Sequence, residues 1–420
     1  MKKLAHKINA KFYYGWIIVF ISAYALMFSA PGQTYSISIF INVYETEFGY
    51  SQTALSQGYS IATILSGSLL IFIGKLTDRF GQRFMLALVG TLLALTTIYN
   101  SYVANIWMIY VGFFLLRYFG QGSLTLIPSS LVPQWFEKKR AFSLSIAGYG
   151  NLIATMFVPV FNVFLIDRYT WQLAWRIWGG GLLILFVPLV LLFVINRPED
   201  VGIKMENNGM DDDETEKALI LLEASSWTLK EAVKTKAFWM IGLMSLIVPM
   251  FTTGITFHWI SMMRLRGIER TEAAIVIGLV ALPAILMPVI SRIFIDKIQP
   301  KFVFLTTLII VLIGMIWLGY FVNHIASAIL FMLFYGFGAG MQGIALNTIY
   351  PNYYGRKYLG SIRGAATVFM VIGSALGPLP FGYMYDKTGE YLFVIQGMIL
   401  MTLVAIVLSL AINKPIRKTS

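Results

Sequence analysis

Cysteine is absent from the chain, which excludes disulfides, thiolate nucleophiles and cysteine-ligated metals. Histidine is almost absent: His6, His258 and His324 are the only three, too scattered along the expected topology to gather a metal ion. Neither an H-E-x-x-H zinc pair nor a G-x-x-x-x-G-K-[ST] phosphate loop occurs. Zinc hydrolysis and nucleotide-driven work are thereby set aside, no cofactor or metal is expected, and the chain is not read as an enzyme. Charge is scarce as well. Only 12% of residues are charged, against about a quarter in an ordinary soluble domain. All 20 acidic residues fall in loops or at the ends of apolar segments, so no carboxylate is expected deep among them.

Apolar residues fill the space that charge leaves: 58% of the chain is hydrophobic and the mean hydropathy is +0.73. Runs of roughly 20 apolar residues, long enough to cross a bilayer, recur about twelve times. They are read as spans 1 to 12 near 14–40, 52–74, 84–101, 106–134, 141–166, 174–195, 236–261, 272–295, 302–322, 326–351, 362–384 and 391–412. The first run is too long for a signal peptide and lacks a small-residue cleavage site, so it is read as a retained span. The net charge of +12 is a topology signal, because most of the 32 basic residues fall in alternate loops. They include Lys2, Lys3, Lys7 and Lys11, then Lys75, Arg79 and Arg83, then Lys138, Lys139 and Arg140, and the tail Lys414, Arg417 and Lys418. This is the positive-inside pattern of a multi-pass protein of the cell membrane with both termini cytoplasmic. The segment 197–235 breaks the apolar pattern with an acidic run, Asp211 to Glu214, and is read as a solvated linker between domains 1–196 and 236–420. Within it, Thr228 and Glu231 have the spacing of a capping box that opens a short helix.

The two halves repeat one another at a constant offset. Phe119-Gly120-Gln121-Gly122 returns as Phe337-Gly338-Ala339-Gly340, Trp135-Phe136 as Tyr353-Tyr354, Lys138-Lys139 as Arg356-Lys357, and Asp78-Arg79 as Asp296-Lys297. Parallel repeats of membrane spans are the architecture of alternating-access transporters, with the substrate site between the halves. The fold expected is therefore an all-α membrane protein of twelve transmembrane helices in two pseudo-symmetric six-helix bundles.

Between spans 2 and 3, Gly74 to Arg83 spell G-x-x-x-D-R-x-G-x-R. This stretch resembles the cytoplasmic signature of the major facilitator superfamily. The resemblance implies a conformational latch made by Gly74, Asp78, Arg79, Gly81 and Arg83, with Asp296 as the repeat mate. Gly74 is expected to allow a close helix approach, and Asp78 to accept hydrogen bonds or pair with a cation. Span 4 carries Arg117-Tyr118-Phe119-Gly120-Gln121-Gly122, which resembles the superfamily's R-x-x-x-G motif. Further stretches are similar to the monocarboxylate and oxalate/formate antiporter-like group. These are Trp135 to Arg140 followed by Ala147 to Gly150, then Arg197 to Gly202, Trp227 to Ala232, Tyr354 to Gly360 and Gly382 to Asp386. The chain departs from that group where it matters for substrate. Cations that relatives carry in spans 1, 8 and 11 align near Tyr35, Met287 and Met370 here. Without them a small dicarboxylate is disfavoured, because a buried carboxylate needs a cation or several donors.

Two cations lie well inside spans, Arg117 and His258. An arginine in mid-span either grips neighbouring backbone carbonyls or binds and couples an anion. His258 either exchanges a proton near neutral pH or is hydrogen-bonded within the helix packing. With the polar residues Tyr35, Gln121, Tyr149, Asn151, Gln342 and Asn347, these two are the candidate substrate-binding or coupling groups. Each polar residue taken alone is more often interhelical glue than a ligand. The function expected is secondary transport of a small organic anion, a monocarboxylate first, as proton symporter or anion exchanger. Export of a larger amphipathic compound is the alternative, followed by a non-transporting receptor. The expected partners are a small anionic substrate, the bilayer and a coupling proton or counter-anion, with no nucleic acid and a monomeric state.

Overall fold

The computed structural model describes residues 2–10, 12–136, 139–203, 227–294, 298–355 and 358–415. They group into two compact units, Met1–Gly209 and Met210–Ser420. Among the described residues, eleven helical stretches are long and apolar enough to cross a membrane. In the first unit these are span 1 (Gly15–Phe48), span 2 (Gln52–Phe80), span 3 (Gln82–Asn100), span 5 (Phe142–Arg168) and span 6 (Trp171–Phe193). In the second they are span 7 (Lys236–Arg264), span 8 (Arg270–Met287), span 9 (Pro300–Tyr320), span 10 (Ile325–Tyr354), span 11 (Ser361–Thr388) and span 12 (Leu392–Leu410). The remaining expected span, span 4, is also helical but changes pitch. Ile106–Leu115 is α, Leu116–Ser123 is π, and Leu124–Leu131 returns to α.

Several helices start where a short polar side chain precedes an apolar run. Ser51, Asn105, Thr170 and Thr235 each accept a hydrogen bond from a backbone N–H in the first turn of spans 2, 4, 6 and 7. Such a cap is worth about 1 kcal/mol. The capping box at Thr228 is present: Glu231 N–H reaches Thr228 Oγ1 at 3.3 Å, and Thr228 N–H reaches Glu231 Oε2 at 2.8 Å. Gly49 and Gly389 stop spans 1 and 11 in the left-handed region, at φ 69° and 74°.

Prolines punctuate the spans. Span 1 is split by a 3-10 turn, Ala30–Gly32, which holds Pro31. Span 11 changes course at Gly377, where Leu359–Leu376 ends and Pro378–Thr388 begins. The repeated aromatic pairs do the same work in each unit. Trp135 and Phe136 are buried beneath the start of span 1, with Trp135 Nε1–H donating to Ile195 O at 3.1 Å and its ring 5.5 Å from that of Tyr14. In the second unit Tyr354 is buried beneath the start of span 7. Its hydroxyl is 2.8 Å from Thr235 Oγ1, and its carbonyl accepts from Trp227 N–H at 2.8 Å.

Candidate functional site

Arg117 sits at the start of the π-helical stretch of span 4 and is 4% exposed. The change of pitch fits the way span 4 meets span 1. Gly32, in the 3-10 break of span 1, lies against Gly120 so closely that a methyl on Gly32 would come within 2.8 Å of Gly120 Cα and overlap the Leu116 carbonyl. Two interrupted helices are thereby pressed together without side chains between them, and Arg117 projects beside the break. Its guanidinium carbon stands 4.8 Å from the centroid of the Tyr59 ring of span 2. Its Nη1 donates to Thr34 Oγ1 at 3.4 Å, and that oxygen is 2.6 Å from the Tyr59 hydroxyl. Nε has no hydrogen-bond partner.

Magnitudes decide what this cluster amounts to. An arginine at a span centre costs about 2.5–3.5 kcal/mol on insertion scales. A desolvated cation over an aromatic face returns about 2 kcal/mol, and the long bond to Thr34 adds less than a full charged hydrogen bond. The side chain is therefore tolerated. Among its described contacts, a ring face and a hydroxyl, no carboxylate supplies a counter-charge. An anion is the chemistry that would supply one.

The other candidates of the first unit lie on spans 1, 4 and 5. Tyr35 follows Thr34 and is 7% exposed, and Thr155 of span 5 donates to the Asn151 carbonyl, one turn before it, at 2.9 Å. Gln121 Oε1 and Asn151 Oδ1 are buried polar atoms without hydrogen-bond partners. Tyr149 is exposed and apart from them in character. Thr34 was missed by sequence reasoning. Its signal is the Pro31-Gly32 pair just before it, which marks a break that turns the following hydroxyl inward.

In the second unit the candidates separate. His258 is 1% exposed and held on both ring nitrogens. Nε2 lies 3.0 Å from the Pro378 carbonyl oxygen, at the bend of span 11, and Nδ1 lies 3.4 Å from the Tyr391 hydroxyl. A carbonyl can only accept, so Nε2 carries the proton and the imidazole is satisfied in its neutral form. Gln342 is also committed, its Nε2 donating to the Ser245 carbonyl of span 7 at 3.0 Å. The pairs Thr253–Ser374 at 2.8 Å and Thr256–Tyr335 at 2.7 Å tie further helices together. These are interhelical contacts. The Asn347 side chain and Asp296 lie outside the described residues.

The latch motif divides into two parts. Gly81 and Arg83 form a rigid corner. Gly81 has φ +80°, Arg83 N–H donates to Asn196 Oδ1 at 2.8 Å, and the Arg83 guanidinium donates to the Leu191 carbonyl of span 6. Asp78 and Arg79 are exposed, the latter with its guanidinium 5.3 Å from the Phe80 ring centroid. A methyl at Gly74 would meet nothing within 4 Å among the described residues.

The chain matches the family described as Major Facilitator Superfamily over residues 16–378. It is 21% identical to monocarboxylate transporter 2 of Homo sapiens over 90% of this chain and 81% of that protein. It is 23% identical to monocarboxylate transporter 4 of Mus musculus over 91% of this chain and 80% of that protein. A match to MFS-type transporter 1 of an Ophiocordyceps species, at 26% identity, covers 43% of this chain and spans 40% of that relative's length. Among solved structures, the chain resembles a bacterial homologue of the human lysosomal transporter Spinster, with a TM-score of 0.70, 15% identity and 95% of both chains covered. At that identity the likeness shows the fold, that of twelve helices in two bundles.

Proposed function

The chain belongs to the major facilitator superfamily, and we propose that it is a secondary transporter that exchanges small organic anions, monocarboxylates first, by alternating access. One observation carries the anionic part of this reading: Arg117 is buried with a phenol and a hydroxyl as neighbours and no carboxylate among its described contacts. A low-dielectric site holding one uncompensated cation favours anions over cations. The mammalian relatives are named as monocarboxylate transporters, which supports the substrate class without fixing it. We place the protein in the cell membrane with both termini cytoplasmic, on the distribution of its basic loops. The corner at Gly81 and Arg83, with exposed Asp78 beside it, is the element we assign to biasing one conformation over another.

Exchange is preferred to proton symport because no mid-span carboxylate is available and His258 is satisfied as a neutral ring. His258→Gln is expected to lower thermal stability while leaving the pH profile of uptake unchanged. A flattened profile would restore His258 as the coupling group and proton symport as the mode. The second reading, export of an amphipathic compound, draws on an apolar groove of about 640 Å³ in the first unit, lined by Phe28, Phe157, Phe161, Trp178 and Leu185 among others.

A thermal-unfolding screen of the purified protein separates the two. A ligand at a hundred times its dissociation constant stabilises by roughly 2.7 kcal/mol if it ignores the unfolded chain. Monocarboxylates are expected to raise the midpoint selectively. Stabilisation confined to bulky amphipaths would replace the anion reading with the exporter.

A further inference from the structure

The groove of about 640 Å³ in the first unit has Phe28 of span 1 as its floor. Phe157, Phe161 and Phe164 of span 5 form one bank, and Gly181 and Leu185 of span 6 form the other. Phe28 is buried, whereas the three span 5 phenylalanines and Leu185 are exposed. The one hydrogen-bond donor among the lining side chains, the Trp178 indole N–H, is already given to Asn162 Oδ1 at 2.8 Å. The groove therefore offers an occupant packing and no polar contact. All three helices are long and apolar enough to cross a membrane, so the medium at this depth is hydrocarbon. A concavity left empty there forfeits dispersion contacts along its walls, and an apolar chain restores them. The second unit has a smaller groove of about 360 Å³ between spans 7 and 12, lined by apolar residues that include Leu246, the repeat mate of Phe28.

Charge identifies the occupant. Phe157, Phe161, Phe164 and Arg168 follow one another at i, i+4, i+7 and i+11, so the face of span 5 that banks the groove ends in a guanidinium. Arg168 is exposed and closes the last turn of the helix. Asp167 lies about a quarter turn round the helix from it. Exposed Tyr169 follows, and exposed Tyr102 and Trp107 stand where span 3 gives way to span 4. Successive spans alternate in direction, so these aromatics mark the same end of the unit. Exposed tyrosine and tryptophan collect at the headgroup level of a bilayer. An apolar lane that finishes at a cation on that level matches a phospholipid, with a chain along the lane and a phosphate at its mouth.

We propose that the groove seats one acyl chain of an anionic glycerophospholipid whose phosphate pairs with Arg168. The chain contributes packing that any lipid can supply, so the choice among lipids rests on the headgroup. Because Arg168 is exposed, salt should weaken that choice. The groove then belongs to the bilayer, and the site stands whatever substrate crosses beside Arg117.

The test is thermal unfolding of the purified full-length protein in detergent, titrated with short-chain phosphatidylglycerol or with phosphatidylcholine of the same chains. The wild type should show a saturable rise in midpoint, at roughly fivefold lower concentration for phosphatidylglycerol, the worth of one basic residue at an anionic lipid surface. Arg168→Gln should remove that preference. Gly181→Leu should fill the groove and weaken both lipids roughly tenfold; its first added carbon stands at an ordinary 3.6 Å from the Phe28 ring, so the helix need not shift. Gly180→Leu is the control, since a methyl there meets nothing within 4 Å and Gly180 does not line the groove. Equal response to the two lipids in the wild type, or a preference kept in Arg168→Gln, would overturn the proposal. Identical titrations of Gly181→Leu and Gly180→Leu would overturn it as well, by placing the lipid elsewhere. If Gly181→Leu fails to fold, Arg168→Gln decides the matter. Two other occupants have their own signatures, and either would end the proposal. A dimer on size exclusion that Gly181→Leu alone converts to monomer would give the groove to a second copy of this chain. Loss of amphipath flux in Gly181→Leu with the lipid response intact would give it to a transported compound.

Discussion

Arg117→Ala is expected to abolish substrate flux in reconstituted vesicles, with a loss of roughly 30-fold or more in initial rate, while Arg117→Lys retains a measurable part. The figure follows from removing one partner of a buried charge pair, which costs about 2–5 kcal/mol. Lysine keeps the charge but gives up the planar stack on Tyr59 and the fork geometry of the guanidinium. The ring contact at 4.8 Å and the bond to Thr34 at 3.4 Å make a competing outcome readable. If Arg117 served only to tie spans 1, 2 and 4, both variants would lose folded yield together. Tyr59→Phe tests the same point from the other side. It keeps the aromatic face and removes the hydroxyl bonded to Thr34, so it should fold and transport with a smaller defect. Expression, size-exclusion behaviour and initial rates measured side by side distinguish a lost ligand from a lost helix contact.

Gly32→Ala is expected to be among the most damaging single-methyl changes in the first unit. The added carbon would overlap the Leu116 carbonyl and come within 2.7 Å of Gln121 N and 2.8 Å of Gly120 Cα. All three are backbone groups, so no rotamer change relieves the contact and spans 1 and 4 must part. Overpacking of this kind costs about 1–3 kcal/mol, and more where the backbone itself must move. Because the displaced segment carries Arg117, flux should fall together with the unfolding midpoint. Gly148→Ala is the matched control. A methyl at Gly148 in span 5 meets nothing within 4 Å, and alanine in a helix interior is favoured over glycine by about 1 kcal/mol. Equal midpoints for the two variants would show that the contact of spans 1 and 4 is not as tight as the geometry requires.

The contrast between those two glycines illustrates what the sequence discloses and what it withholds. The spans were legible because lipid demands long apolar runs, and their starts because Ser51, Asn105, Thr170, Thr228 and Thr235 stand just before helical segments. The repeat was legible because the aromatic pairs at Trp135-Phe136 and Tyr353-Tyr354 do equivalent packing in each unit. The π-helical pitch at Leu116–Ser123 was not, because it goes with the meeting of Gly32 and Gly120, residues far apart in the chain. Polar side chains inside spans were the least readable. Gln342 was open between ligand and helix packing, and its amide is turned to the Ser245 carbonyl. His258 was open between proton exchange and helix packing, and both its ring nitrogens are engaged.

Counterflow in vesicles containing only the purified protein tests the central claim most directly. Vesicles loaded with an unlabelled monocarboxylate are diluted into trace labelled monocarboxylate, at equal pH on both sides. The prediction is transient accumulation of label in wild-type vesicles, abolished in Arg117→Ala and weaker but present in Arg117→Lys. Absence of counterflow with every monocarboxylate tried, together with counterflow of a bulky uncharged or cationic amphipath, would contradict it.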